Sequence, residues 1–276
     1  INVTGPVDRN ATLVVRVDDV NYAVNMTNGN ATLTVKGLGA GNYTVVVTYM
    51  ENDKYVVATA SGWVNVTAKT VVPISVDDVG VVYGENATVV VTGLGNIVGD
   101  VITINVTGKG SQTVVVNASG MANATFAGLG AGVYEIVASY AGNETYAANS
   151  TTASLTVVKA SSDVIIGVNS TYYVDDTIVV NITRVNSTGA VTVKINGKEY
   201  VVVGNNVTIP NGLANGTYIV DVVLAGDDNY NNASASVDIV VNPKAKENAT
   251  IRIYAPSEAI EGDNVTVTVT LPSDAT

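Results

Sequence analysis

One segment returns three times along the chain. It reads GLGAGNYTVVVTY at 37–49, GLGAGVYEIVASY at 128–140 and GLANGTYIVDVVL at 212–224. Its small residues allow the chain to reverse. The strand that follows alternates, so Tyr43, Val45, Val47 and Tyr49 fall on one face. A segment kept this faithfully marks a tandem repeat, and every other element takes its register from it. Hydrophobic residues make up 47% of the 276 positions, yet there is one Phe, one Trp and three Met. Valine and threonine therefore carry the chain, and β-branched side chains suit pleated, half-buried surfaces. No helical periodicity competes over a useful window.

Counting outward from the repeated segment gives four pieces: 1–69, 70–160, 161–245 and 246–276. A complete piece holds seven short strands with turn residues between them. That pattern predicts an all-β chain of tandem immunoglobulin-like β-sandwich domains. Tyr43, Tyr134 and Tyr218 each enter a strand just after the turn, the place of a tyrosine corner, whose hydroxyl bonds back to upstream backbone. Asn196-Gly197 predicts a two-residue hairpin, Gly108-Lys109-Gly110 a second, and ENDK at 51–54 a third. Pro73 predicts an edge strand, where a missing N–H costs little. The linkers near Lys69, Lys159 and Pro243-Lys244-Ala245 are short, which predicts that the domains stack into a rod.

The first piece lacks its opening strands, and residue 1 reads as the interior of something longer. The last piece holds only two opening strands, in NATIRIY and NVTVTVTL. Neighbouring residues of a longer chain would supply the missing strands in cis, since a repeat protein can be cut anywhere. The other explanation is a filament in which one copy completes the next by strand complementation.

Function classes fall away quickly. There is no cysteine and no histidine, which removes thiol chemistry, His-based triads and most transition-metal sites. No nucleophile–base pair is left, so the chain does not read as an enzyme. A net charge of −11 opposes nucleic acid and anionic lipid. No apolar run approaches the ~18 residues of a membrane span. No cofactor is called for. Calcium is the one metal the acidic pairs suggest, with Asp77, Asp78, Asp227 and Asp228 as candidates, but no calcium-loop spacing accompanies them. Solvated turn acids explain them more simply. Trp63 aligns with Leu155 and Val237 when the closing strands SGWVNV, ASLTVV and ASVDIV are matched, which predicts a core position rather than a sugar platform. Lys36, Lys109 and Lys194 do not recur with an Asn and an acid, as a self-formed cross-link would need. Lys69 and Lys159 do recur, in linkers.

Asparagine is over-used. There are thirty, and twenty open the glycosylation acceptor N-x-S/T: Asn2, Asn10, Asn25, Asn30, Asn42, Asn65, Asn86, Asn105, Asn117, Asn123, Asn143, Asn149, Asn169, Asn181, Asn186, Asn206, Asn215, Asn232, Asn248 and Asn264. Chance would give roughly five. Polar–apolar alternation inflates the number, but it needs only threonine, and Asn is a poor strand residue. The excess predicts surface glycosylation of a secreted chain.

Four segments, YGENATVVVTGL (83–94), GLGAGNYTVVVTY (37–49), LAGDDNY (224–230) and VTVTVTLPSDAT (265–276), resemble the bacterial immunoglobulin-like (Big) modules of long adhesin-like surface proteins of methanogenic archaea, of the Methanobrevibacter type. The resemblance spans essentially the whole chain and rests on structural punctuation. It implies an extracellular, cell-surface location and a stalk or adhesive role. Partners would be neighbouring repeats, other copies in a filament, or a host-cell or microbial surface ligand. Residues 51–54, ENDK, depart from the G-D-x-x loop of the resemblance, so a shared ligand role for that loop is not implied.

Overall fold

The computed structural model describes residues 1–5, 11–244, 246 and 250–271; the turn PVDRN, Ala245 and the candidates Asn10 and Asn248 lie outside them. The chain is all-β, with no α-helix among the described residues.

The first repeat contains β1 (Asn2–Thr4), β2 (Ala11–Val17), β3 (Val20–Met26), β4 (Asn30–Thr32), β5 (Gly41–Tyr49) and β6 (Ala58–Val66). They form sheets of order β1-β4 and β3-β2-β5-β6. The second contains β7 (Thr70–Val71), β8 (Ser75–Val76), β9 (Val79–Val82), β10 (Ala87–Thr92), β11 (Val101–Val106), β12 (Gly110–Val115), β13 (Ala122–Phe126), β14 (Gly132–Tyr140), β15 (Tyr146–Ala147) and β16 (Asn149–Val158). Its main sheets are β13-β10-β8 and β12-β11-β14-β16-β9. The third has β17 (Asp163–Gly167), β18 (Thr171–Tyr173), β19 (Ile178–Val185), β20 (Val191–Ile195), β21 (Lys198–Tyr200), β22 (Asn206–Ile209), β23 (Gly216–Leu224) and β24 (Ala233–Asn242), in sheets β17-β19-β22 and β18-β24-β23-β20-β21. A last pair, β25 (Arg252–Tyr254) and β26 (Thr268–Thr270), stands as a two-stranded ribbon.

Inward residues alternate along the core strands, as in β10 and β13, as a half-buried sheet requires. In the third repeat Val180 and Val207 from one sheet join Val193, Val220 and Ile239 from the other in one core. The first repeat has a smaller core built on Leu13, Val15, Val24 and Val45. Contact density divides the chain into two compact units: Ile1–Val79 with Thr88–Phe126 and Tyr134–Leu155, and Gly80–Ala87 with Ala127–Val133 and Thr156–Thr276.

The local signals did what their chemistry requires. Asn196 and Gly197 take φ of 45° and 80° between Ile195 and Lys198, the conformation of a type I′ turn. The Tyr43 hydroxyl donates to the Gly39 carbonyl at 3.0 Å, and Tyr218 to Ala214 at 3.0 Å, so both close a tyrosine corner over four residues. Tyr134 enters β14 at the same point and carries the Lys109 ammonium 5.3 Å from its ring.

Two expectations are corrected. The first concerns a strand of the opening piece: the alternating residues NATLTVK at 30–36 pair as a strand only over Asn30–Thr32. Trp63 is not a core residue; it is 74% exposed. Register shows why. Tyr43 pairs with Val64 and Tyr218 with Ile239, so Val64 holds the inward position and Trp63, opposite Thr44, the outward one. The expected alignment was one residue out, and one residue reverses every face of a strand.

Candidate functional site at the junctions between repeats

The most elaborately built feature is the loop that follows each tyrosine-corner strand. Asn52, Asn143 and Asp227 open it in the three repeats. In each, the side-chain oxygen accepts the main-chain N–H groups two and three residues on: Lys54 and Tyr55, Thr145 and Tyr146, Asn229 and Tyr230. The main-chain N–H of the same residue donates to the carbonyl of Tyr55, Tyr146 or Tyr230 at 2.9–3.0 Å. Asn and Asp suit this place because a short side chain with an oxygen mimics one peptide unit of a turn.

A linker lysine then grips the loop. The Lys69 ammonium donates to the Asn143 carbonyl, and Lys159 to the Asp227 carbonyl at 2.5 Å. The residues just after each lysine run parallel to the loop: Thr70 and Val71 beside Tyr146 and Ala147, Ala160 beside Tyr230. The N–H of Thr70 donates to Thr145, and that of Ala160 to Asn229. The second junction adds more. Ala131, inside the turn GLGAG, donates its N–H to Asn229 Oδ1 at 2.9 Å, and Tyr83 meets Tyr230 edge-on with centroids 5.2 Å apart. Ser162 Oγ donates to the Asn231 carbonyl at 2.5 Å. At both junctions the loop therefore meets the linker that enters its own repeat. The lysines' role was missed, although the signal was present: a Lys recurring just before each new opening strand.

Each loop is tied to its own repeat differently. In the second, Asp100 Oδ2 accepts Tyr140 OH at 2.5 Å and Asn143 Nδ2 at 2.9 Å. Burial, then the hydrogen bond and charge of Asp100, push the Tyr140 hydroxyl up to about 12. In the third, Asp227 Oδ2 accepts both Thr188 N–H and Thr188 Oγ1. The Thr188 N–H first, with the Asn229 and Tyr230 N–H groups, brings the Asp227 carboxyl down to about 2. A lowered folded-state value means stability that is present above the unfolded value of 3.8 and lost as pH falls through about 2. Acid titration of the chain by circular dichroism is expected to show this loss, and Asp227→Asn is expected to remove that part of it.

Two of the calcium candidates are otherwise engaged. Asp227 is committed as above, and Asp78 Oδ1 accepts the Ser154 N–H at 2.7 Å. Asp77 and Asp228 are exposed turn residues beside them. Among the described residues no three acids cluster as a metal site would need. The described glycosylation candidates are exposed except Asn105 and Asn149, which are half-buried. Some already use the nitrogen a glycan would take: Asn143 toward Asp100, Asn149 toward the Val72 carbonyl, Asn186 toward Ser161 and Asn30 toward Asn28. Among the described residues no helix is long and apolar enough to cross a membrane.

No protein-family model matches the chain, and no curated protein matches it. Solved structures similar to it are tandem β-sandwich arrays. An I-band fragment of titin is 14% identical over 84% of this chain and 88% of its own, with a TM-score of 0.40. A second titin tandem is 13% identical over 88% and 92%, with a TM-score of 0.37. The fibronectin(III)-like modules of Clostridium thermocellum CbhA are 14% identical over 63% and 98%, with a TM-score of 0.29. At these values nothing about a ligand or an activity carries over to this chain.

Proposed function

We propose that this chain is a structural segment of an extracellular, N-glycosylated repetitive surface fibre or adhesin stalk, and that it catalyses no reaction. The observation that carries this reading is the junction. The same lysine-to-loop grip and the same parallel pairing occur twice, so what the repeats preserve is the way one unit holds the next. Such a chain acts by reach: each added unit extends the segment, and a fixed junction keeps the extension from collapsing. The resemblance to methanogen adhesin-like proteins supports a cell-surface reading, and the exposed N-x-S/T sites suit a glycosylated exterior.

Lys159→Met tests the junction. It removes the donor to the Asp227 carbonyl and keeps most of the side-chain volume. Small-angle X-ray scattering is expected to show a broader spread of maximum dimension than for the unaltered chain, with unchanged circular dichroism. Identical scattering would defeat the fixed-junction reading. Glycopeptide mapping of native material is expected to find glycan on exposed sites such as Asn86, Asn123 and Asn181 and none on Asn149. Unmodified sites throughout would defeat the glycan claim.

A second reading has one observation in its favour. The loop of the first repeat differs from the others, carrying Glu51 where they carry Gly142 and Gly226, and it exposes Met50, Val56 and Val57. As an adhesive pole it would bind protein or carbohydrate through those residues.

A further inference from the structure

Trp63 shares one patch of the first repeat with two glycosylation candidates. β5 and β6 are antiparallel, with Asn42 opposite Asn65 and Thr44 opposite Trp63. Side chains two residues apart on a strand stand on one face, so the four form a square on the outward side of the sheet. All four are exposed. Two acceptors converge there: Asn65-Val66-Thr67, which begins two residues after Trp63, and Asn42-Tyr43-Thr44, whose threonine is opposite the indole.

Solvent reaches this place in a complete repeat too. In the third repeat Tyr218 stands opposite Ile239 as Tyr43 stands opposite Val64, so Asp238 holds the position of Trp63. Asp238 is exposed although β18 is paired along the end of β24. An aspartate is at home in water there, whereas a tryptophan leaves a large apolar ring uncovered. The same comparison puts Thr217, Ile219 and Val240 in the places of Asn42, Thr44 and Asn65. The third repeat therefore has neither aromatic nor acceptor at this patch, and the first has both together. The two asparagines also have their amides available. Asn143 and Asn149 use the amide nitrogen toward Asp100 and the Val72 carbonyl, but Asn42 and Asn65 make no side-chain hydrogen bond among the described residues.

We infer that Trp63 is the platform for an N-linked sugar carried by Asn65. The inference rests on the glycosylated exterior proposed above and names the site at which the sugar is held. The sugar joins the chain at Asn65 Nδ2, on the face that carries the indole and roughly 6.6 Å along the strand from it. A pyranose has one face made of C–H groups. Laid on the indole, that face removes apolar area from water and meets the negative side of the ring. Asn42 is the farther acceptor, on a cross-strand diagonal of about 7–8 Å. The stack fixes the direction of one glycan and covers the exposed tryptophan with the same contact.

Trp63 is the single tryptophan, so its fluorescence reports the stack directly. The full chain, secreted from a host that glycosylates N-x-S/T, is compared with Thr67→Val and Thr44→Val. These variants delete the acceptors at Asn65 and Asn42 and keep both asparagines and the indole. Acrylamide quenching of Trp63 is expected to be about two-fold weaker in the glycosylated chain than in Thr67→Val, since a stacked sugar covers one of two indole faces. Thr44→Val is expected to keep that protection. Sugar proton resonances shifted upfield by the indole, and lost in Trp63→Ala, are the second expected result. Equal quenching in the glycosylated chain and Thr67→Val would overturn the inference, as would protection lost in Thr44→Val instead. Glycopeptide mapping of native material separates the two readings. Sugar on other acceptors with Asn65 bare would overturn the inference and leave the glycosylated exterior standing, whereas sugar on none would overturn both.

Discussion

Ile239→Ala is expected to destabilise the third repeat by about 2–5 kcal/mol, while Val64→Ala at the same place in the first repeat costs less than about 1 kcal/mol. Both residues stand opposite a corner tyrosine, Tyr218 and Tyr43. Only Ile239 is fully buried, in a core that Val180 and Val207 of the facing sheet share with Val193 and Val220 of its own. Its truncation loses transfer energy and leaves a cavity that a close-packed core fills poorly. Val64 already faces solvent, so its truncation opens little. The measurement is urea unfolding followed by two probes. Trp63 fluorescence follows the first repeat alone, and circular dichroism follows the whole chain. Ile239→Ala should shift a circular-dichroism transition and leave the Trp63 transition in place. Equal effects at the two sites would contradict an open first repeat.

This contrast also marks where sequence reasoning held and where it failed. The corners at Tyr43 and Tyr218, the Asn196-Gly197 turn and the all-β sandwich were legible because each rests on local chemistry: a fixed φ, a short hydrogen bond, an alternation. Trp63 was not legible, since its face depends on strand register, and register is set by partners far away in sequence. The junction was half legible. The recurrence of Lys69 and Lys159 in the linkers was visible. What they grip was not, because a backbone carbonyl carries no charge for a sequence pattern to match. The acidic pairs were legible as turn acids rather than a cation site, but not what holds them: Asp78 and Asp227 accept main-chain N–H groups that no sequence motif displays.

Gly93→Ala is the second large effect, at about 2–5 kcal/mol on the second repeat. Gly93 has φ of +78°, and a Cβ built there would lie 1.9 Å from the Pro73 carbonyl oxygen. A left-handed residue with a side chain costs about 1–2 kcal/mol, and forcing apart packed backbone about 1–3 kcal/mol more. The cause is the opening strand. Pro73 has no N–H to give, so β8 begins only at Ser75, and the chain before it swings across the end of β10. In the third repeat the opening strand stays paired through that point, with Val164 opposite Arg184. Arg184 therefore occupies the glycine's place without strain, and Arg184→Ala is expected to fall within about 0.5 kcal/mol of the parent. In the first repeat the place belongs to Gly5, where a Cβ would meet the Met26 sulfur at 3.0 Å rather than a carbonyl. That flexible side chain can yield, so Gly5→Ala is expected to cost less than about 1 kcal/mol. The order Gly93, then Gly5, then Arg184, measured as shifts in urea midpoint, reports what the opening strand does in each repeat. A Gly93→Ala chain as stable as its parent would show that the second repeat does not carry its opening strand where the structure places it.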